Sequence, residues 1–329
     1  MKIAKTFINK FLTPTLKENL IPEPGKLSIS GLKNPRVVFF IVGHPKSGTT
    51  WISEILNGHP DICCMREGHF FFREDDYNTL ANALNSSENL RQWSSRNFNN
   101  WSKDLNSELL YFNRLIIQFY LQREAERTGK LIIGDKSPSY HLTQMAKLFP
   151  EAKVIHIVRD GRDVAVSMAF HRSKETYRYM SKENEKKLDL KIGRLVNDNS
   201  LHALPNSFIE TIANTWKHEV RTCRRQGKSL FGENYLEITY EELSVKPEPV
   251  IRKILSFLQA DATNSVIKTC LHSARFEAMS RGRKRGEEDV NSFFRKGIVG
   301  DWKNVFTERN KSQFDKIAGN LLKKLGYNS

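Results

Sequence analysis

The chain has 329 residues, of which 39% are hydrophobic and 27% are charged, enough apolar material for one large or two smaller domains with buried cores. Its net charge of +15 favours anionic partners, such as nucleotides, acidic glycans, nucleic acid or an anionic membrane surface. No run approaches the roughly 20 apolar residues of a membrane-spanning helix, and none resembles a signal peptide. We therefore expect a cytoplasmic protein with no transmembrane segment.

Alternating apolar runs and helical patterns predict the secondary structure in chain order. Residues 37–43 form a continuous apolar run that is typical of a central strand buried on both faces. Further strands are predicted over residues 131–134, 153–158 and 235–238. Helices are predicted over residues 50–56, 78–128, 140–148, 163–170, 208–226, 249–258, 263–271 and 308–325.

This alternation predicts one α/β domain of the P-loop type, with a central, mainly parallel sheet flanked by helices on both faces. We place the domain at residues 36–329, after an N-terminal extension of residues 1–35 whose apolar residues have amphipathic spacing. Residues 173–205 carry many charges and few large apolar side chains, which favours a lid or an insertion.

The four cysteines lie at Cys63, Cys64, Cys223 and Cys270. They contain no Cys-x-x-Cys pair and no metal-ligand spacing, so buried free thiols in a reducing compartment are favoured. We also expect no metal cofactor.

The first motif, GHPKSGTTW at residues 43–51, follows a strand and opens a helix. Backbone N–H groups of such a loop, together with the helix N-terminus, bind phosphate. Lys46 could reach a bridging phosphate oxygen, and the hydroxyls of Ser47, Thr49 and Thr50 could donate hydrogen bonds. The loop keeps the glycine spacing of an ATPase loop through Gly48, but Thr49 stands where the lysine should be.

Two further motifs could bind a second phosphate. In the segment RDGRDVAVS, Arg159 ends a strand and Ser167 follows on the next helix, so the two side chains could hold one phosphate from two sides. Arg-Asp at a strand end could instead be a structural salt bridge. In RKGIVGDWKN, Arg295, Lys296 and Gly297 suit a phosphate, and the preceding Phe293 and Phe294 could contact a purine, although a surface turn remains an alternative.

In this order, PKSGTTW, RDGRDVAVS and RKGIVGDWKN resemble the three signatures of the sulfotransferases that use 3′-phosphoadenosine 5′-phosphosulfate (PAPS), over roughly residues 36–325. RKGIVGDWKN is especially close to the cytosolic, small-molecule branch. The resemblance implies that PAPS is the donor and that its 5′-phosphosulfate is bound by Lys46, Ser47, Gly48, Thr49, Thr50 and Trp51. It further implies that the 3′-phosphate is bound by Arg159, Ser167, Arg295, Lys296 and Gly297, and that adenine contacts Trp51 and Tyr240.

The catalytic segments resemble a different branch. GDKSPSYH at residues 134–141 lacks the histidine of the cytosolic enzymes, and together with MREGHFF at residues 65–71 it is similar to the sulfotransferases that modify heparan-type glycans. This resemblance makes Glu67 our choice of general base, with His69 and His141 as alternatives. Lys46 is expected to stabilise the leaving group. Lys136 is expected to bind the sulfuryl group or the acceptor, or to pair with Asp135 or Glu67.

Three other hypotheses stay open at this point. A P-loop nucleotide kinase would need ATP and Mg²⁺, a polyanion or nucleic-acid-binding protein would account for the charge and the basic residues 281–285, and a PAPS-binding protein need not be an enzyme. The basic residues could extend the 3′-phosphate site, recruit an acidic acceptor or form a solvated loop. The acceptor, an acidic glycan or a small molecule with a hydroxyl or amine, carries no signature, and homodimerisation is left open.

Overall fold

The computed structural model describes residues 34–68, 70–71, 101–137, 141–174, 183–198 and 204–327, with the backbone alone at 101–110, 183–185 and 197. The amphipathic segment predicted in residues 1–33 and the part of the helix predicted over 78–100 lie outside these ranges. His69, an alternative for the general base, also lies outside the described residues.

Five strands form one sheet, and each pair of neighbours is parallel. Their order is β2-β3-β1-β4-β5, with β1 at Val37–Val42, β2 at Ile62–Met65, β3 at Ile132–Lys136, β4 at Lys153–Val158 and β5 at Tyr235–Thr239. The parallel strands of a sheet end at the same edge, so the segments that follow them meet there. The predicted fold class is confirmed.

Side chains of β1 alternate between two hydrophobic cores, because successive residues of a strand point to opposite faces. Phe39 and Ile41 pack in one core and Phe40 and Val42 in the other, and all four are fully buried. The run of apolar residues at 37–43 was therefore correctly predicted to be a central strand.

Twelve helices are found among the described residues, and they cover the sheet on both faces. They are α1 (Thr49–Asn57), α2 (Trp101–Thr128), α3 (Leu142–Leu148), α4 (Gly161–Arg172), α5 (Glu183–Asn197), α6 (Asn206–Phe231), α7 (Tyr240–Val245), α8 (Pro247–Phe257), α9 (Asn264–Ser273), α10 (Phe276–Met279), α11 (Trp302–Val305) and α12 (Glu308–Lys324). One face of the sheet packs against α1, α7, α8 and α9, and the other against α2, α3 and α6. No helix within the described ranges combines the length and apolar character needed to cross a lipid bilayer.

Helix α4 begins two residues earlier than the sequence pattern predicts. Asp160 is its N-cap, and the carboxylate accepts a hydrogen bond of 2.8 Å from the backbone N–H of Arg162. The first residue is Gly161, where a Cβ atom would lie 2.6 Å from Trp216. The early start fixes the orientation of the helix that carries Ser167.

Part of the charged stretch at residues 173–205 is a helix that packs on the domain. In α5, Ile192 is fully buried in a core shared with α4 and α6, and Asp189 forms an ion pair of 3.2 Å with Arg172 at the end of α4. The described part of this stretch is thus attached to the helix of the second motif. Its role as a lid stays a prediction.

Candidate active site

Segments from all five strand ends meet around one cavity of about 370 Å³. The residues that line it come from the loop after β1, the ends of β2 and β3, the helix after β4, the start of α7 and the loop before α11. Fifteen residues proposed from the sequence are among them, namely Lys46, Gly48, Thr49, Thr50, Trp51, Glu67, Lys136, Arg159, Ser167, Tyr240, Phe293, Phe294, Arg295, Lys296 and Gly297.

The loop at residues 43–48 is shaped to surround an anion. Gly48 has a φ of 103°, in the left-handed region, and a Cβ atom there would lie 2.6 Å from the Tyr240 ring, so glycine is required. Lys46 also has a positive φ of 71°. Helix α1 begins immediately after the loop, and the free N–H groups of its first turn favour phosphate.

Ser47 differs from its neighbours. Its side chain is buried, is not among the residues that line the cavity, and its Oγ has no hydrogen-bond partner among the described residues. The backbone N–H of Ser47 donates to the carbonyl of His44 at 3.0 Å, which closes a tight turn. The role of this hydroxyl at the 5′-phosphate stays a prediction.

Aromatic side chains line one end of the cavity. The Trp51 and Tyr240 ring centroids are 5.4 Å apart, and the Trp51 indole N–H donates to the carbonyl of Ala274 at 3.1 Å. Phe276, which the sequence analysis did not single out, lines the same wall. The guanidinium of Arg285 lies 5.0 Å from the Trp51 ring centroid. This end suits a flat aromatic base.

Arg159 connects all three motifs. Its guanidinium donates to the carbonyls of Lys46 (3.2 Å) and Ile298 (3.3 Å) and lies 4.2 Å from the Tyr240 ring centroid. The Asp163 carboxylate is 3.8 Å away, so the structural salt bridge that the sequence allowed is present as well. Arg159 lines the cavity together with Ser167, which lies two turns along α4.

The third motif brings two more cations to the cavity. Arg295 pairs with Glu288 and Asp301, and the Lys296 ammonium donates to Asp301 at 3.0 Å. Gly297 has a φ of 68°, and a Cβ atom there would lie 2.5 Å from Phe276. The close approach of backbone and aromatic ring explains the glycine after the two cations.

Two of the basic residues at 281–285 have different roles: Arg283 supports the third motif, and Arg285 lines the cavity. The Arg283 guanidinium donates to the carbonyls of Phe294 and Arg295, both at 2.7 Å, and so holds the third motif in place. Arg285 lines the cavity and donates to the Ser244 hydroxyl at 2.6 Å. Both arginines therefore contact other parts of the protein, although Arg285 is exposed.

Glu67 and Lys136 form an ion pair of 2.8 Å at the opposite end of the cavity. The Lys136 ammonium also donates to the Thr50 hydroxyl at 3.0 Å, so it bridges the first motif and the ends of β2 and β3. The neighbouring Arg66 pairs with Glu54 at 2.7 Å rather than with Glu67. His141 is not among the residues that line the cavity within the described part of the chain.

The model of the sulfotransferase domain family matches residues 37–326, which is most of the chain. The chain belongs to the sulfotransferase family. Among curated sulfotransferases, it is 24% identical to the sulfotransferase 1 family member D1 of Rattus norvegicus (86% of this chain and 81% of the relative) and 24% identical to the amine sulfotransferase of Oryctolagus cuniculus (84% and 78%). Sulfotransferase 1B1 of Mus musculus is 28% identical over 51% of this chain and 53% of its own length.

A solved structure has the same fold. It is the mouse sulfotransferase SULT7A1 in complex with PAP (3′-phosphoadenosine 5′-phosphate, the form of PAPS without the sulfuryl group). This structure superposes with a TM-score of 0.52 at 21% identity, covering 90% of this chain and 91% of that one. The cavity described above is therefore the candidate active site of a sulfotransferase, which is an enzyme of the transferase class. Among the described residues, no group of histidine, cysteine or acidic side chains could hold a metal ion.

The buried cysteines of this sulfotransferase agree with the sequence analysis, because Cys63, Cys64, Cys223 and Cys270 are all free thiols in the interior. His156, in the middle of β4, is also fully buried, and its Nδ1 is 2.7 Å from the Tyr235 hydroxyl. It serves the core rather than the cavity.

Burial lowers the pKa of Lys46 to about 8, with further lowering by the nearby charges of Lys174 and Lys136 and an opposing effect of Glu67. Lys46 therefore loses its positive charge as the pH rises through this value. We expect the affinity for an anionic nucleotide to fall as the pH rises above about 8, with proton uptake on binding. Calorimetric titration of PAP at pH 7 and pH 9 measures both, and equal affinities at the two values would contradict the expectation.

A buried carboxylate fixes the segment that carries Glu67. Asp135, at the end of β3, accepts hydrogen bonds from the backbone N–H of Gly68 (2.8 Å) and the Ser137 hydroxyl (2.9 Å), and it is fully buried. Burial raises its pKa to about 7, an effect only partly offset by these two hydrogen bonds. Asp135 thus positions Gly68 and Ser137, the residues that directly follow Glu67 and Lys136 in the chain.

We expect Asp135→Ala to lower the free energy of unfolding by about 1–3 kcal/mol, because hydrogen-bond donors lose their acceptor. Asp135→Asn keeps an acceptor for Gly68 but does not ionise. A raised acid pKa contributes stability at low pH that is lost as the pH rises through about 7. The Asn variant should therefore gain stability relative to the native protein as the pH rises from about 4, near the ordinary pKa of an aspartic acid, to about 7. Urea unfolding measures this difference, and parallel pH profiles over this range would disprove the role.

Proposed function

We propose that this sulfotransferase moves a sulfuryl group from PAPS to a hydroxyl or amine of the acceptor. The observation that carries the proposal is the meeting of three cationic segments and a pair of aromatic rings in one cavity. In this assignment Trp51, Tyr240 and Phe276 bind adenine. Arg159, Ser167, Arg295, Lys296 and Gly297 bind the 3′-phosphate, and the loop with Lys46, Gly48, Thr49 and Thr50 binds the 5′-phosphosulfate. The PAP complex of a sulfotransferase with this fold supports the choice of donor.

The reaction is an in-line displacement at sulfur. The acceptor oxygen or nitrogen forms a bond to sulfur while the bond from sulfur to the bridging oxygen breaks, and PAP leaves with that electron pair. Lys46, which belongs to the first motif and lines the cavity, neutralises the charge that develops on the bridging oxygen. Lys136, whose ammonium donates to the Thr50 hydroxyl at 3.0 Å, binds the sulfuryl oxygens in this assignment.

Glu67 is our candidate for the general base that takes the acceptor proton. Its side chain is 54% exposed, and its ion pair with Lys136 keeps the carboxylate at the edge of the cavity. When Lys136 turns to the sulfuryl oxygens, the carboxylate is released for the acceptor. Glu67 itself has a φ of 48°, so its backbone adopts a conformation that an ordinary loop residue avoids.

Glu67→Gln tests this role. We expect kcat to fall by about 10²–10⁴-fold with little change in PAP affinity, since general bases contribute rate factors of this size. Glu151→Gln is a matched control, because Glu151 is 55% exposed and paired with Arg114 on the surface. A Glu67→Gln variant that is as active as the control would remove Glu67 as the base.

Donor use is tested by incubating the protein with PAPS and a panel of hydroxyl and amine acceptors, and following PAP together with the sulfated product. The proposal predicts that both appear in equal amounts. ATP with Mg²⁺ in place of PAPS should give no phosphorylated product, whereas phosphoryl transfer would favour the nucleotide kinase.

The acceptor is proposed to be a carbohydrate or a small molecule. The small-molecule side is supported by relatives such as the amine sulfotransferase of Oryctolagus cuniculus, and the net charge of +15 suits an acidic glycan. We further propose that the protein acts in the cytoplasm, which its four free buried thiols and its likeness to cytosolic sulfotransferase 10 of Arabidopsis thaliana support.

A further inference from the structure

A histidine that no motif contains lines the cavity near Lys46 and Glu67. We call this part of the cavity, where the sulfuryl transfer is proposed to occur, the reacting end. His171 lines the cavity and is four residues beyond Ser167, hence one turn farther along the same face of α4. The wall it forms lies on a different element from Glu67 and Lys136, which follow β2 and end β3. The reacting end is thus bounded from the α4 side by an imidazole.

The charges around His171 are mostly positive. Lys46 approaches from the first motif, Glu67 from the segment after β2, and Arg172 and Lys174 from the end of α4 itself. Burial is the main cause that lowers the pKa of His171 to about 4, and Lys46 and Lys174 lower it further. The imidazole is therefore neutral at physiological pH, and a neutral imidazole carries one N–H donor.

A neutral imidazole that lies among lysines is better suited to donate a hydrogen bond to an anion than to take up a proton. The Lys174 ammonium donates to the carbonyl of Asn291 at 3.2 Å, and the Lys46 ammonium lies 4.2 Å from the Phe293 ring centroid, so both lysines are held near the loop of the third motif. A sulfuryl group attached to the 5′-phosphate beside Lys46 would lie within this positive environment. Its three oxygens need donors on several sides as the transfer proceeds.

We propose that His171 is a catalytic residue that donates a hydrogen bond to the transferring sulfuryl group from the α4 side of the cavity. This inference rests on the proposed use of PAPS as the donor. It assigns His171 a role distinct from the general base, because a neutral donor does not take up the acceptor proton. The contact is absent with PAP, which has no sulfuryl group.

The test compares PAPS and PAP binding to three proteins by calorimetry, with no acceptor present. In His171→Leu, we expect PAPS to bind about tenfold more weakly and PAP to bind with unchanged affinity, as for the loss of one hydrogen bond to a charged group. His171→Gln retains an N–H donor and should recover most of the PAPS affinity. His218→Leu, at an exposed histidine of α6, is the control.

Each outcome decides the matter. Equal weakening of PAPS and PAP in His171→Leu would make His171 part of the nucleotide site, and no weakening of either would place it outside the sulfuryl contacts. A Gln variant as weak as the Leu variant would reduce the role to packing. If the native protein binds neither nucleotide, the proposed function itself fails, which is separate from these results.

Discussion

Lys46→Met is expected to lower the rate of sulfuryl transfer by about 10²–10³-fold, the loss found when one transition-state donor is removed. Methionine has a similar length and no charge, so the bridging oxygen would leave without a cation beside it. The backbone carbonyl of Lys46, which accepts from Arg159, is kept by the substitution. Rates with PAPS at a saturating acceptor concentration, together with PAP affinity, separate the loss in catalysis from the loss in binding.

Lys268→Met is a matched control for this experiment. Lys268 is exposed on α9 and is not among the residues that line the cavity. Both variants should unfold at nearly the native temperature. A Lys46→Met enzyme with more than a tenth of the native rate would contradict the assignment of Lys46 to the leaving group.

Arg159→Leu is expected to weaken PAP binding by about a hundredfold, because it removes a buried charge that pairs with an anion. The loss should be specific to the 3′-phosphate. AMP, which lacks this phosphate, should bind to the variant nearly as it binds to the native protein. The preference for PAP over AMP should therefore nearly disappear, as measured by competition calorimetry.

A wider structural loss would give a different result. Arg159 also holds the carbonyls of Lys46 and Ile298, so a disordered loop would weaken AMP and PAP alike. Arg159→Lys keeps the charge but lacks the planar set of donors, and it should retain an intermediate preference for PAP. If Arg159→Leu still distinguishes PAP from AMP as the native protein does, the 3′-phosphate is bound elsewhere.

The sequence predicts the fold and most of the residues that line the cavity, because their signals are local. A run of apolar residues is enough to place β1, and the positive φ of Gly48 explains why glycine follows Ser47 in the first motif. The residues of the second and third motifs are far apart in the chain, yet each motif follows a strand or a turn. The common edge of the parallel strands brings the first two motifs together. The third motif is joined to the second by hydrogen bonds from the backbone N–H groups of Gly300 and Trp302 to Asp163.

The rest depends on packing that one sequence does not reveal. One example is the burial of the Ser47 side chain, which lies in a turn closed by the carbonyl of His44. His171 could have been found from its four-residue spacing from Ser167, since the two share one face of a helix. Phe276 gave no such signal, because the wall it forms depends on its contact with Gly297.

The pairing of Glu67 with Lys136 could be predicted only in part from the sequence. The sequence allowed Lys136 to pair with Asp135 or Glu67, and only the neighbouring positions of β2 and β3 decide for Glu67. Asp135 is turned the other way and bonds to Gly68 and Ser137. Adjacent residues of a strand point to opposite sides, but which side faces the cavity depends on the sheet.

The measurement that tests the central claim most directly is thermal unfolding of the protein with PAP, and separately with AMP, ADP and ATP plus Mg²⁺. A ligand that binds only the folded state stabilises it by about 2.7 kcal/mol at a hundredfold excess over its dissociation constant. A site built for PAPS predicts a large rise in the unfolding temperature with PAP and a small one with the other nucleotides. A rise with ATP and Mg²⁺ that equals or exceeds the rise with PAP would contradict it.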